Sequence, residues 1–190
     1  MKNADIIDKD LVIQILTKSF ESNPSVNFII KQDNSKPQRI RTLMEYSFEI
    51  CFRYGEVFIS EDRTGCALVL LNKKPTTFRS IWLDLKLILK GIGLRNLRDA
   101  LDREARIKSI RPKNKMYYLW FLGVLPEHQK KGTGTKLLKE ILIRSSEIRL
   151  PVYLETSVPN NLPWYKKHGF VVYDEMQLSY KLYFLKKDVL

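Results

Sequence analysis

Thiols are scarce in this chain of 190 residues: Cys51 and Cys66 are the only two. Both lie in apolar patterns, and neither has a second Cys or a His at metal-ligand spacing. No metal site is expected, and the thiols read as free and buried, with a disulfide left open but unsupported by any pattern. Long uninterrupted apolar runs are lacking as well. The most apolar stretch, IWLDLKLILKGIGL, carries Asp84, Lys86 and Lys90 and is too short and too charged to cross a bilayer. The opening residues, MKNADIIDKDLVIQIL, are broken by acids and lack a signal-peptide layout. A cytoplasmic protein with no membrane partner is the expectation. No repeat, low-complexity tract or linker divides the sequence, and its length suits one well-cored domain, so 1–190 reads as a single domain. Acids are the scarcer charge. With 21 Asp and Glu against 33 Lys and Arg, the net charge is +12, which favours anionic partners. Nucleic acid, a membrane surface and a phosphorylated cofactor all satisfy that charge, so it does not choose among them.

The patterns that are present alternate between helix and strand. Asp8 or Asp10 suits the cap of a first helix, with Ile13, Leu16 and Phe20 on one face, ending before Asn23-Pro24. A second helix opens at Ser35-Lys36-Pro37 and stops at Gly55. EVFISEDRTGCALVLL reads as a β-hairpin. From Thr76 to about Ile110 the period is helical again, with Ile81, Leu85, Ile88 and Ile92 in line and a break near Gly91 and Gly93. Lys115 to Leu125 reads as a central strand buried on both faces. A helix carrying Leu137, Leu138 and Ile141 and a strand VYLETS complete a βαβ unit, whose two strands are expected to be parallel. A short helix from Leu162 to Lys167 and two last strands, FVVYDEM and QLSYKLYFLKK, follow.

The turn HQKKGTGTKLL joins the central strand to a helix N-terminus. Backbone amides there lack intrahelical partners and the helix dipole is positive, which suits an anion. Two phosphate motifs fail on spacing. Gly134 is followed by Thr135 rather than the Lys of a G-x-x-x-x-G-K-[ST] loop, and Leu137 stands where a G-x-G-x-x-G fingerprint needs its third glycine.

What stands in the turn is Gln129-Lys130-Lys131-Gly132-Thr133-Gly134, after Leu122-Gly123-Val124-Leu125-Pro126. This resembles the Q/R-x-x-G-x-G/A signature of the GCN5-related N-acetyltransferases and the L-x-V-x-P strand end before it. Asn161-Leu162-Pro163-Trp164-Tyr165-Lys166-Lys167-His168-Gly169-Phe170 is similar to that family's N…Y-x-x-x-G-F segment. The element order matches over nearly the whole chain. The resemblance implies an α/β fold with a central mixed sheet, a splayed parallel strand pair and flanking helices. It also implies acetyl-coenzyme A as acyl donor, with its pyrophosphate on the amides from Gln129 to Thr135, Lys130 and Lys131 adding attraction. The pantetheine arm would lie along Leu122, Gly123 and Val124, with Asn161 bonding it or capping the short helix.

For the chemistry, the resemblance implies direct transfer to a primary amine of a small molecule or peptide. Tyr165 would be the acid to the leaving thiolate, since a phenol has a reference pKa of about 10, near that of a thiol. The Val124 amide would serve the oxyanion. Many relatives carry a carboxylate on the strand before the motif. Here Met116 to Phe121 has none, and Glu155 on the next strand is the nearest substitute, as a base through water or as an anchor for a cationic acceptor. Tyr118 and Trp120 are candidates for the acceptor wall. Two other readings stay open: a coenzyme A-binding protein without catalysis, and a basic nucleic-acid-binding module, against which no nucleic-acid motif is present. A homodimer also stays open.

Overall fold

The computed structural model describes residues 1–71 and 77–189, and of Arg79 only the backbone. Its strands, β1 (Lys2–Asn3), β2 (Gly55–Ile59), β3 (Gly65–Leu70), β4 (Tyr117–Val124), β5 (Val152–Thr156), β6 (Val171–Gln177) and β7 (Lys181–Lys187), form one sheet in the order β1-β2-β3-β4-β5-β7-β6. The helices are α1 (Lys9–Ser19), α2 (Pro24–Ile29), α3 (Lys36–Tyr54), α4 (Phe78–Leu87), α5 (Leu97–Ile110), α6 (Thr133–Glu147) and α7 (Leu162–Lys167). A π turn (Ile88–Ile92) and a 3-10 turn (Leu94–Asn96) join α4 to α5. β4 is the central strand, and β4 and β5 are parallel while every other neighbouring pair is antiparallel. The α6 crossover, too long for a hairpin, makes that pair parallel. β7 rather than β6 lies beside β5, so the C-terminal hairpin presents its second strand to the sheet.

Alternation along the strands sorts the core into layers. On one face Leu138 and Ile141 of α6 and Tyr165 of α7 pack on Ala67, Val69, Leu119 and Leu154. On the other, two clusters stand apart. Residues of α1, α2 and α3 cover β2 to β4 through Cys66, Leu68 and Phe121. Ile107 of α5 covers β6 and β7 through Met176, Leu182 and Phe184. Since β5 lies between β4 and β7, the side chain of Glu155 falls between these clusters. Cys51 and Cys66 are free and buried, and burial pushes both thiols well above their ordinary pKa.

Several sequence expectations need correction. β1 and α2 were not foreseen: β1 has two residues, and α2 is a six-residue helix capped by Asn23, whose side chain accepts from the Val26 amide. Asp8 stands at the N-cap of α1 but makes no cap bond to that helix; its carboxylate accepts from the Asp5 amide, in a capping box on the 3-10 turn ahead of α1, and ion-pairs with Arg63 and Lys2. Leu178 and Tyr180 sit in the β6–β7 turn, closed by the Leu178 amide on the Tyr180 carbonyl, and the strand begins at Lys181. The apolar line of the 78–96 segment holds only in its second part: Ile81 and Leu85 face solvent, Ile88 is half-buried and Ile92 is buried, while Ser80 and Leu83 are buried on α4. Thr76, where the sequence reading starts the helical stretch, lies outside the described residues.

Candidate active site

β4 and β5 pair only at Tyr117↔Val152 and Tyr118↔Tyr153, and beyond these two rungs they diverge. A bulge accompanies the divergence. Leu68 and Val69 of β3 oppose Phe121 and Leu119, which leaves Trp120 as the extra residue. Trp120 and its neighbour Phe121 therefore turn to the same cluster, while Leu119 and Leu122 turn to the other face. At the end of the strand the Leu125 amide donates to the Thr64 carbonyl on the β3 side. Successive amides alternate, so that of Val124 points to the open edge. The Val124 carbonyl accepts from Ser19 Oγ at 2.9 Å and Gln129 Nε2 at 3.1 Å. These bonds tie α1 and the loop after β4 to the mouth of the gap.

The same loop carries the glycines. Lys130 and Gly132 take left-handed conformations, φ 62° and 94°, and Gly132 is the N-cap of α6. The first helical bond runs from the Lys136 amide to the Gly132 carbonyl. The amides of Thr133, Gly134 and Thr135 are thus without intrahelical partners. A Cβ built on Gly132 meets nothing within 4 Å, and one on Gly134 has Val124 Cγ2 nearest, at 3.6 Å. The missing side chains therefore leave room beside bare amides, which fits a pyrophosphate. Thr133 is buried and its hydroxyl donates to Asp62 Oδ2 at 3.0 Å, pinning the β2–β3 turn under the helix start. Hydrogen bonds from Ser60 first, then Thr64 and Thr133, hold the exposed Asp62 carboxyl at about 2, below its ordinary value, against an opposing effect of burial. Lys131 Nζ donates back to the Glu127 carbonyl at 3.0 Å, and Lys130 is exposed. The Gln129 and Lys131 side chains thus close the loop, and the amides face outward from it.

Tyr165 lies on the α6 face, its ring centroid 4.7 Å from Trp164 and 5.5 Å from Phe170. Burial raises its pKa, and its hydroxyl has no hydrogen bond among the described residues. Trp164 Nε1 donates to Thr135 Oγ1 at 3.1 Å, fixing α7 to the start of α6. Asn161 occupies the N-cap position of α7 but makes no side-chain cap bond. His168 ends that helix with Nδ1 2.8 Å from the Trp164 carbonyl oxygen.

On the opposite face Glu155 is not a free carboxylate. Arg111 donates to both its oxygens, Nε to Oε1 at 2.8 Å and Nη2 to Oε2 at 3.0 Å, and the Tyr118 hydroxyl donates to Oε2. The guanidinium also covers the Tyr118 ring, 4.2 Å from its centroid. Burial opposes the charge of Arg111, but the Glu155 carboxylate offsets it and keeps the guanidinium protonated, while burial keeps Tyr118 neutral. A second node lies beyond the end of β5. Arg103 Nε donates to the Tyr180 hydroxyl at 2.7 Å and its Nη2 to Ser25 Oγ at 2.5 Å, and the Ser25 amide donates to Ser157 Oγ at 3.2 Å. Together the two nodes line a polar seam over the gap. Sequence reasoning named Glu155 and Tyr118 but missed Arg111, Arg103, Ser25 and Ser19. The arginines stand in a helical stretch of mixed charge, and neither they nor the serines carry a motif.

Residues 99–172 match the family model described as an acetyltransferase (GNAT) domain. Over 63 residues, a third of this chain, the sequence is 36% identical to an uncharacterized N-acetyltransferase of Schizosaccharomyces pombe. That match spans about a quarter of the relative's length. Solved structures are similar along the whole chain. One is described as histone acetyltransferase HPA2 and related acetyltransferase from Corynebacterium glutamicum (TM-score 0.71, 16% identity, 100% of this chain and 95% of that one). Arylalkylamine N-acetyltransferase 2 from Aedes aegypti is another (TM-score 0.68, 16% identity, 100% and 98%). At such identities the likeness is one of fold.

Proposed function

The chain belongs to the GCN5-related N-acetyltransferases, and from that premise we propose that it transfers an acetyl group from acetyl-coenzyme A to a primary amine in a ternary complex. The observation that carries this reading is the two-rung β4–β5 pairing opening onto the bare amides of Thr133, Gly134 and Thr135. Bound there, acetyl-coenzyme A supplies an activated thioester carbonyl. The α6 amides take its pyrophosphate, and the open edge of Leu122 to Val124 takes its pantetheine arm, with Asn161 free to bond it. The Val124 amide donates to the oxygen that becomes negative as the amine adds. As the new C–N bond forms and the C–S bond breaks, Tyr165 gives its proton to the sulfur, a role suited to a phenol kept neutral by burial. Glu155, with both oxygens engaged, serves as the anchor of Arg111 and Tyr118 in the acceptor wall. The amine proton leaves through water in the polar seam. Among the described residues no helix is long and apolar enough to span a bilayer.

Tyr165→Phe tests the assignment. Turnover, read as free thiol released with a broad amine panel, should fall by about 100-fold, while calorimetric affinity for acetyl-coenzyme A stays within about twofold. Equal turnover across pH removes the acid role. Binding of acetyl-coenzyme A without thiol release for any amine favours the second reading, a coenzyme A-binding protein without catalysis, which the engaged state of Glu155 also suits.

A further inference from the structure

α4 is built inside out. Its buried face holds Ser80 and Leu83, and its polar side chains are tied inward: the Tyr46 hydroxyl donates to Asp84 Oδ1 at 2.9 Å, and Lys86 Nζ donates to Glu45 at 2.9 Å. The face turned to solvent is apolar. Between Phe78 and Asn96 the exposed side chains among those described are Phe78, Ile81, Trp82, Leu85, Leu89 and Leu94, together with Lys90 and Arg95. Phe78 is 96% exposed and Trp82 59%. None of the exposed residues is acidic or neutral polar, and the one acid in the segment, Asp84, is held by Tyr46. Isolated exposed apolar residues are ordinary, but a contiguous face of them marks an interaction site.

Charge decides what kind of partner covers it. From Phe78 to Arg111 there are nine Lys and Arg against four Asp and Glu, on a chain of net charge +12. A second copy laid twofold on this face would bring Lys90 and Arg95 toward their own counterparts, which is unfavourable. A surface that accepts aromatic and aliphatic side chains and attracts cations around them is the headgroup layer of an anionic bilayer. We propose that α4 and the turns after it seat the protein on anionic lipid membranes, Trp82, Leu85 and Leu89 entering the acyl boundary and Lys90 and Arg95 meeting the headgroups. The chain then lies on the membrane without crossing it, consistent with there being no spanning helix among the described residues. This revises the expectation of no membrane partner, which rested on the absence of a spanning segment.

The test is co-sedimentation of the full chain with vesicles of phosphatidylcholine alone or with one quarter phosphatidylglycerol, at low salt. The wild type should pellet with the anionic vesicles and stay mostly in solution with the neutral ones. Two variants separate the contributions. Trp82→Ser/Leu85→Ser/Leu89→Ser should lower partitioning at least about 100-fold, because three apolar side chains no longer leave water. Lys90→Ser/Arg95→Ser should lower it roughly 30-fold. All these positions are exposed, so melting temperatures should stay near that of the wild type. Three results overturn the proposal. In the first, the wild type does not pellet with anionic vesicles. In the second, the apolar variant binds as well as wild type, which reduces the effect to polycation attraction. In the third, the apolar variant converts a vesicle-free dimer to monomer in sedimentation equilibrium while vesicle binding is unaffected, which makes the face a self-association surface.

Discussion

α6 and α4 are both amphipathic, and they use the property in opposite directions. α6 turns Leu137, Leu138 and Ile141 into the sheet and presents charged residues and bare N-terminal amides outward. α4 turns Ser80 and Leu83 inward and leaves Ile81, Trp82 and Leu85 in solvent. The first is held by apolar burial, so the fold itself rigidifies the end that is proposed to bind pyrophosphate. α4 and α5 bury less, Leu83 and Ile107 among them, and add polar links: Tyr46 to Asp84, Lys86 to Glu45, Arg103 to Ser25 and Tyr180, Arg111 to Glu155. A layer fastened by directional bonds frees its apolar side for a partner, at the expense of the larger stabilisation that burying it would give.

The most severe way to break this contrast is to cut the deepest of those links. Arg111→Met leaves the Glu155 carboxylate, whose side chain is only 9% exposed, without its partner. Loss of one member of a buried ion pair costs about 3–5 kcal/mol. Urea unfolding should show a midpoint lowered accordingly. Adding Glu155→Leu should recover most of the loss, because the unpaired charge is then gone. A loss below about 1 kcal/mol would mean that the pair is effectively solvated.

A matched pair of truncations comes next. Leu138→Ala removes a fully buried side chain and should cost about 2–5 kcal/mol. Leu85→Ala, on the outward face of α4, should change stability by less than about 0.5 kcal/mol. Equal losses in urea unfolding would show that α4 packs its apolar face in solution.

That pair also marks where sequence reading stops. Periodicity gave both helices, because the 3.6-residue repeat is a local property. It says which residues share a face, and nothing about which face meets the sheet. For α6 the answer came from its neighbours, two apolar strands and a glycine turn with motif spacing. For α4 no such neighbour exists in the sequence, and the inward face was assigned to Ile81 and Leu85. The gap between β4 and β5 was legible only through family resemblance; the bulge at Trp120 that accompanies it leaves no mark in the pattern YYLWFLGV. The loop before α6 is readable because its form depends on backbone, so glycines at fixed spacing report it. The polar seam on the other face depends on pairs such as Arg111 with Glu155, 44 residues apart, and long-range pairing of common residue types has no local signature.

The bare amides of α6 give the third prediction. Gly134→Glu should weaken acetyl-coenzyme A binding at least about 100-fold in calorimetry, since it sets a carboxylate where the pyrophosphate is proposed to rest, a change of about 2.7 kcal/mol. Gly134→Ala is the control for folding: its Cβ would stand 3.6 Å from Val124 Cγ2, an ordinary contact, so the melting temperature should hold. Unaltered affinity in the Glu variant would remove the loop from the donor site.

The smallest effect concerns how the helix start is held. Thr133→Val deletes the hydroxyl that donates to Asp62 and should cost about 1 kcal/mol. Its pH dependence has a definite sign. Asp62 has a folded pKa of about 2, below its ordinary 3.8. A depressed carboxyl stabilises the fold above the unfolded value, and that contribution disappears as pH falls through the folded value. Thr133 supplies part of the depression, and Ser60 and Thr64 supply the rest. The stability difference between wild type and variant should therefore be full at about pH 6, begin to shrink near pH 4 and be smallest near pH 2. Being exposed, Asp62 is screened, so added salt should shrink the difference as well. A difference that stays constant from pH 6 to pH 2 would assign the cost to the packing of a valine at a buried position, and the Thr133–Asp62 bond would then contribute nothing to holding the α6 amides in place.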